Sequence, residues 1–164
     1  MGRRTFIEPA SDHAVLTVAA RAREGDRREM YALRGEPDMR TSLRACVRLS
    51  LWSWVLRVDE EPGAVFGIAA ARTGAGLPWM VGTGLLALVP KAVLVLGREW
   101  SDRMLGLFPR LENRVLAENH RSAAWLRRCG FTLDPVARPF GATGELFHFF
   151  HKEAKDVRDS RRHD

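Results

Sequence analysis

Asn119-His-Arg-Ser-Ala-Ala-Trp-Leu-Arg-Arg-Cys-Gly130-Phe131 is the stretch on which the fold turns. Asn119 is a residue type that caps helix starts, Ala123 and Leu126 with the neighbouring Trp125 build one apolar face, and Gly130 suits the left-handed backbone that ends a helix. The stretch predicts a short amphipathic helix closed by Gly130, with Phe131 returning the chain to the core.

Working outward, Leu111 to Ala117 reads as a strand, and Pro90 opens a helix in which Leu96, Trp100, Met104 and Phe108 recur at intervals of four until Pro109. On the other side, Glu145 to Phe150 alternates weakly and predicts the last strand. Further upstream, Leu51 to Asp59, Ala64 to Arg72 and Leu77 to Leu88 predict a three-strand antiparallel meander, separated by two polar, glycine-containing turns. Gly82 and Gly84 interrupt the third run. Glycines there either relieve crowding at a sheet bend or admit another chain-like group close to the backbone, and both readings stand. The N-terminal third begins with a strand, Thr5 to Glu8. A helix follows from Ser11 to Gly25, with Val15, Val18, Ala19 and Ala22 inward, and then helices over Arg27 to Arg34 and Met39 to Leu49. Helix, strand and helix after a meander build a crossover on a mixed sheet.

The chain has 164 residues, 46% apolar and 28% charged, which suits one domain with a core of its own. Residues 1–150 are expected to form that domain and 151–164 a charged, flexible tail. No stretch reaches the roughly 18 apolar residues of a membrane-spanning helix, because Pro90-Lys91 divides the best candidates. The basic start lacks the apolar core of a signal peptide, so a cytoplasmic protein is expected. Cys46 and Cys129 suggest no disulfide framework, and the five His and two Cys lack metal-ligand spacing, so no metal is expected.

The net charge is +6, and among the 26 basic residues only Lys91, Lys152 and Lys155 are lysine. Between Lys91 and Arg128 there are eight cations against four anions, whereas 151–164 holds five against four. The excess is mild and local, which argues against a nucleic-acid footprint.

The element order, joined to Asn119, Ser122, Gly130 and Phe131 at their spacings, resembles the GNAT superfamily of N-acetyltransferases over about residues 5 to 150. More narrowly, Trp52 to Asp59, Pro62 to Gly67, Pro78 to Thr83, Leu111-Glu112-Asn113 with Val115, and Trp125-Leu126-Arg127 resemble the acetyltransferase-like proteins of tailed phages and prophages, the gene-thirteen-like group associated with virion assembly. The resemblance implies an α/β fold: a mixed, mostly antiparallel sheet flanked by helices, with a V-shaped splay between strands 4 and 5. It also implies acetyl-CoA as cofactor and an amine acceptor, a small molecule or a protein. Backbone of Val81, Gly82, Thr83, Gly84 and Leu85 would hold the pantetheine arm, Lys91 would lie near the phosphates, and Asn119 with Ser122 would border the cofactor. A plain helix cap would equally explain Asn119. For a general base the weak candidates are Glu112, Glu118 and His120, with His148 nearby.

Two departures from the pattern stand out. The Gly-rich pyrophosphate loop is replaced by Leu85-Leu-Ala-Leu-Val-Pro-Lys91, and Leu126 occupies the place where many relatives carry a proton-donating Tyr. The alternative is therefore a catalytically degenerate fold acting as a phage virion, assembly or host-interaction protein, which would make the chain virion-associated. The oligomeric state stays open, a dimer included. The five tryptophans read mainly as packing, with Trp52 and Trp54 on one strand face, Trp79 facing them, and Trp79 a candidate for the acceptor pocket.

Overall fold

A computed structural model describes residues 2–154. The first strand, β1 (Thr5–Pro9), leads into three helices, α1 (Asp12–Arg21), α2 (Glu24–Arg34) and α3 (Met39–Leu49). Ser11 accepts the Ala14 N–H at 3.2 Å and starts α1; Asp38 accepts the Arg40 N–H at 3.0 Å and starts α3. Gly35, at φ 71°, ends α2 in the left-handed region.

The meander follows as β2 (Trp52–Val58), β3 (Glu61–Ala70) and β4 (Gly76–Gly82). Its first turn is tighter than expected. Asp59 and Glu60 both take positive φ, so two residues suffice and β3 begins at Glu61 instead of Ala64. The extra residue is absorbed by a bulge, where the register shifts between Leu56 and Arg57.

The run expected as one strand from Leu77 to Leu88 is two elements. The strand stops at Gly82, and Gly84–Leu88 form a 3-10 turn. The cause is the α1–α2 corner: the Gly82 carbonyl accepts the Arg23 N–H at 2.8 Å, and the Gly82 N–H donates to Asp26 at 2.8 Å. Thr83 then caps the turn by accepting the Leu85 N–H at 3.2 Å.

The second half comprises α4 (Pro90–Met104), β5 (Arg110–Leu116), α5 (His120–Arg128), two short strands β6 (Thr132–Leu133) and β7 (Arg138–Pro139), and β8 (Leu146–Glu153). The helix expected to run to Pro109 ends at Met104, followed by a turn through Leu107. Gly130 closes α5 at φ 95°, as its sequence suggests. The last strand runs beyond Phe150 to Glu153, and Lys152 within it is buried. Its ammonium donates to Ser101 Oγ (2.9 Å), the Cys129 carbonyl (3.0 Å) and Asp102 (3.1 Å). Of the flexible tail expected at 151–164, His151, Lys152 and Glu153 instead belong to β8, and 155–164 lie outside the described residues.

The eight strands form one sheet in the order β1-β2-β3-β4-β5-β8-β6, with β7 pairing β8 off that path. Every pair is antiparallel except β4 with β5. Helices α1–α3 cover one face, packing Val18, Met30 and Leu43 against Val65 and Val81. Helices α4 and α5 cover the other, where Leu96, Met104 and Leu126 meet Phe66, Ile68, Leu111 and Val115. The alternation of side chains along β3 and β4 sorts these sets. It also places Trp54 and Trp79 on opposite faces, contrary to the sequence expectation. Trp54 stacks on Trp100 with ring centroids 4.4 Å apart, while Trp79 packs beside Val65 and Val81. Among the described residues no helix is long and apolar enough to cross a membrane.

Candidate active site

Strands β4 and β5 touch at one end and part from there. Their single register pair is Gly76 with Leu111. A Cβ on Gly76 would lie 2.8 Å from Ile68 and Phe108 and 3.0 Å from Leu111, so only glycine permits this close junction. Farther along, Asn113 reaches over the opening and donates from Nδ2 to the Pro78 carbonyl at 3.0 Å.

A cavity of about 140 Å³ occupies the divergence and passes through the sheet. Met30, Leu33, Cys46 and Trp79 line it on the α2–α3 side; Phe66, Trp100 and Leu126 line it on the α4–α5 side. The backbone of β4 borders it in a defined way. Thr83 donates to Gly63 on β3, while the Pro78 carbonyl and the Gly82 N–H point away from β3, so the period of two turns the N–H and carbonyl of Met80 toward the opening.

Two acids of α2 stand at this opening. Asp26 is 5% exposed and is fully engaged: Oδ2 accepts from the Arg23 guanidinium (2.8 and 3.1 Å) and from Gly82 N–H (2.8 Å), and Oδ1 faces Asn119 Nδ2 at 3.3 Å. Glu29 is different. Its Oε1 accepts the Leu116 N–H at 2.7 Å and the Asn119 amide at 3.4 Å, and no partner for Oε2 is found among the described residues. Burial pushes the Glu29 carboxyl up to about 7; the Asp26 charge adds to this, and the hydrogen bonds from Leu116 and Asn119 only partly offset it. A carboxyl titrating near neutrality in a cavity is matched to general-base work. The thiols offer no nucleophile, since burial raises Cys46 and pushes Cys129 up to about 11.

Of the residues singled out in the sequence, the structure brings Trp79, Val81 and Ser122 to the cavity wall. Gly82, Thr83 and Leu85 have their N–H groups bound to Asp26, Gly63 and Thr83, and Gly84 is exposed in the 3-10 turn. Lys91 is exposed in the first turn of α4. Asn119 makes no capping bond; it is buried, and its amide ties β5 to α2 through Asp26 and Glu29. Glu112 lies toward the closed end of the opening, where Thr73 donates to it at 3.2 Å and Arg110 pairs with it at 3.1 Å. Glu118 pairs with Arg28 on the surface, His120 is exposed at the start of α5, and His148 Nδ1 contacts the Asp134 carbonyl at 2.8 Å.

Asp26 and Glu29 were not singled out by sequence reasoning. The available signal was two acids three apart on a helix that also carries the inward Met30. It becomes meaningful only when the fold sets α2 against the end of β5.

No protein-family model matches this sequence, and no curated protein does. Among solved structures, the aminoglycoside acetyltransferase AAC(6')-Ib in complex with coenzyme A superposes with TM-score 0.70 at 9% identity, covering 96% of this chain and 99% of that one. The spermidine N-acetyltransferase SpeG chimera from Vibrio cholerae and hSSAT gives TM-score 0.66 at 9% identity, over 93% and 98%. The IAA acetyltransferase from Bacillus cereus gives 0.65 at 11%, over 92% and 99%. At these identities the likeness is one of fold, and an acetyltransferase of the GNAT family from Streptococcus pneumoniae shares it at TM-score 0.53. The chain therefore has the GNAT fold, with its sheet parted between β4 and β5 and a cavity in the parting.

Proposed function

We propose that this protein is an acetyl-CoA-dependent N-acetyltransferase in which Glu29 serves as the general base. The observation that carries this reading is the placement of a near-neutral carboxyl at a through-sheet cavity where two parallel strands separate. The neighbours named for acetylating an aminoglycoside and spermidine add support for an amine acceptor.

The residues present fit the pantetheine arm better than the phosphates. Met80 offers its N–H and carbonyl along the opening, where an extended amide chain completes the sheet as an added strand. At the other end the Gly-rich loop is absent and Pro90 has no N–H. The N–H groups of Leu85, Leu86 and Val89 turn inward to Thr83 and Leu86, which leaves Lys91 and the start of α4 for phosphate. When bound, acetyl-CoA supplies an activated thioester carbonyl. Glu29 takes the proton of the acceptor amine on Oε2, while Leu116 and Asn119 hold Oε1 and fix the carboxyl plane. The apolar wall of Trp79, Phe66 and Trp100 excludes water and strengthens these polar contacts. Leu126 cannot protonate a departing thiolate. Ser122, four residues earlier on the same face of α5 and also at the cavity, can direct its hydroxyl there.

A second reading, a degenerate fold serving in assembly or host interaction, is favoured by the missing phosphate loop and the closed backbone of Gly82 and Thr83. The finer expectation of a phage or prophage protein rests on short sequence runs alone. Release of free thiol from acetyl-CoA in the presence of an amine panel, compared between wild type and Glu29→Gln, separates the two. Amine-dependent release lost in the variant supports transfer through Glu29; no release with any amine supports the second reading.

A further inference from the structure

The charge around the α2–α3 side of the cavity, where Glu29 stands, bears on the kind of amine it takes. This inference rests on the acyl-transfer reading above. Glu29 is a carboxylate on that side with a free oxygen, since Asp26 is engaged by Arg23, Gly82 and Asn119. Against it stand three guanidinium groups that have no carboxylate partner among the described residues.

Arg114 lines the cavity from β5, on the same strand face as Leu116, which packs with Ala32 of α2. Its guanidinium lies over the rings of Phe140 (4.1 Å) and Phe149 (5.4 Å), which hold it in place without neutralising it. Arg114 also lines an adjoining hollow of about 280 Å³ together with Arg138, and Asp134 is the acid found there, its Oδ1 accepting the Val136 N–H at 2.9 Å. Arg34, at the end of α2, acts electrostatically on Cys46, which lines the first cavity. With Asp26 neutralised by Arg23, a polycation would meet two acids, Glu29 and Asp134, against three guanidinium groups in this region, and would gain little. An amine tethered to an anionic group matches both signs, with the ammonium at Glu29 and the anion forked by Arg114. The remaining wall of Met30, Leu33 and Trp79 is apolar and suits an apolar body beside the two charges.

We infer that the acceptor is an apolar amine bearing a carboxylate or comparable anion, such as an α-amino acid or a peptide N-terminus with a nearby anionic group, with Arg114 selecting the anion and Arg138 extending its reach. Phenylalanine and phenethylamine differ only in the carboxylate, and spermidine represents the polycations.

Calorimetric titration of the full chain with each compound, without acetyl-CoA, tests the inference directly. Expected are tenfold or tighter binding of phenylalanine over phenethylamine, spermidine the weakest, and a ratio falling to about one in Arg114→Gln. Tighter binding of spermidine, or a ratio unchanged in Arg114→Gln, would overturn the inference. A ratio cancels general damage from the substitution, and Arg138→Gln provides a second variant expected to lower it. Because no cofactor enters the titration, absent acetyl-CoA binding would defeat the acyl-transfer reading while leaving this result interpretable.

Discussion

Asn119 and Glu29, ninety residues apart in sequence, meet at the end of β5: the Asn119 amide lies 3.4 Å from Glu29 Oε1, which also accepts the Leu116 N–H at 2.7 Å. A residue type that usually caps a helix here orients a carboxyl on another element. These contacts occupy Oε1 of a carboxyl that lines the cavity and link α2 to the end of β5 and the start of α5.

Replacement of Glu29 by Gln retains an acceptor for the Leu116 N–H and removes the base. The expected result is a loss of about 100-fold or more in kcat with little change in the KM for acetyl-CoA. In wild type, kcat/KM should rise with pH toward a plateau above about 7, where Glu29 is ionised, and this step should vanish in Glu29→Gln. Steady-state rates from pH 5.5 to 8.5 measure both.

The same group makes stability depend on pH. Glu29 titrates at about 7 in the folded chain against an ordinary 4.5, so between these values the folded state holds a proton that the unfolded state has released. Stability contributed by the protonated carboxyl is complete below 4.5 and is lost as pH rises through 7, amounting to about 1–3 kcal/mol. Melting curves should show wild type losing ground to Glu29→Gln across that window and a constant difference above it.

Gly97 lets α4 and α5 approach. A Cβ there would collide with Cys129 and lie 2.6 Å from the Trp125 ring. Gly97→Ala should destabilise by about 1–3 kcal/mol through overpacking, despite the higher helix propensity of alanine. Urea unfolding reads this as a lower midpoint at unchanged slope.

Lys152 holds β8 to α4 and α5 through Ser101, Asp102 and the Cys129 carbonyl, and is only 6% exposed. Lys152→Ala leaves Asp102 and that carbonyl without their donor and should cost about 2–3 kcal/mol. Chemical denaturation measures it; a change under about 0.5 kcal/mol would show a surface-like lysine.

Much of the fold was legible in the sequence because its signals are local. Ser11, Gly35 and Gly130 mark helix ends, and α3 was bounded by its own periodicity and caps. Some boundaries moved locally, as where Asp59 and Glu60 tighten the β2–β3 turn and where α1 ends at Arg21 with Gly25 inside α2. But β4 stops at Gly82 through distant contacts, because Arg23 and Asp26 take its backbone. Lys152 looked like part of a charged tail because nothing nearby in sequence announces Asp102 and Cys129. The candidate site was the least legible part. Its carboxyl comes from α2, the β4–β5 divergence exists only in the assembled sheet, and the acids weighed from sequence are engaged elsewhere, as with Glu112 at Thr73 and Arg110.

Calorimetric titration of the wild-type chain with acetyl-CoA bears most directly on whether the β4–β5 opening is a cofactor site. Expected is one-to-one binding in the micromolar to submillimolar range, weakened several-fold at low salt by Lys91→Glu, which reverses the charge at the start of α4. An absence of binding at millimolar acetyl-CoA would contradict the acyl-transfer account and leave the fold to another use.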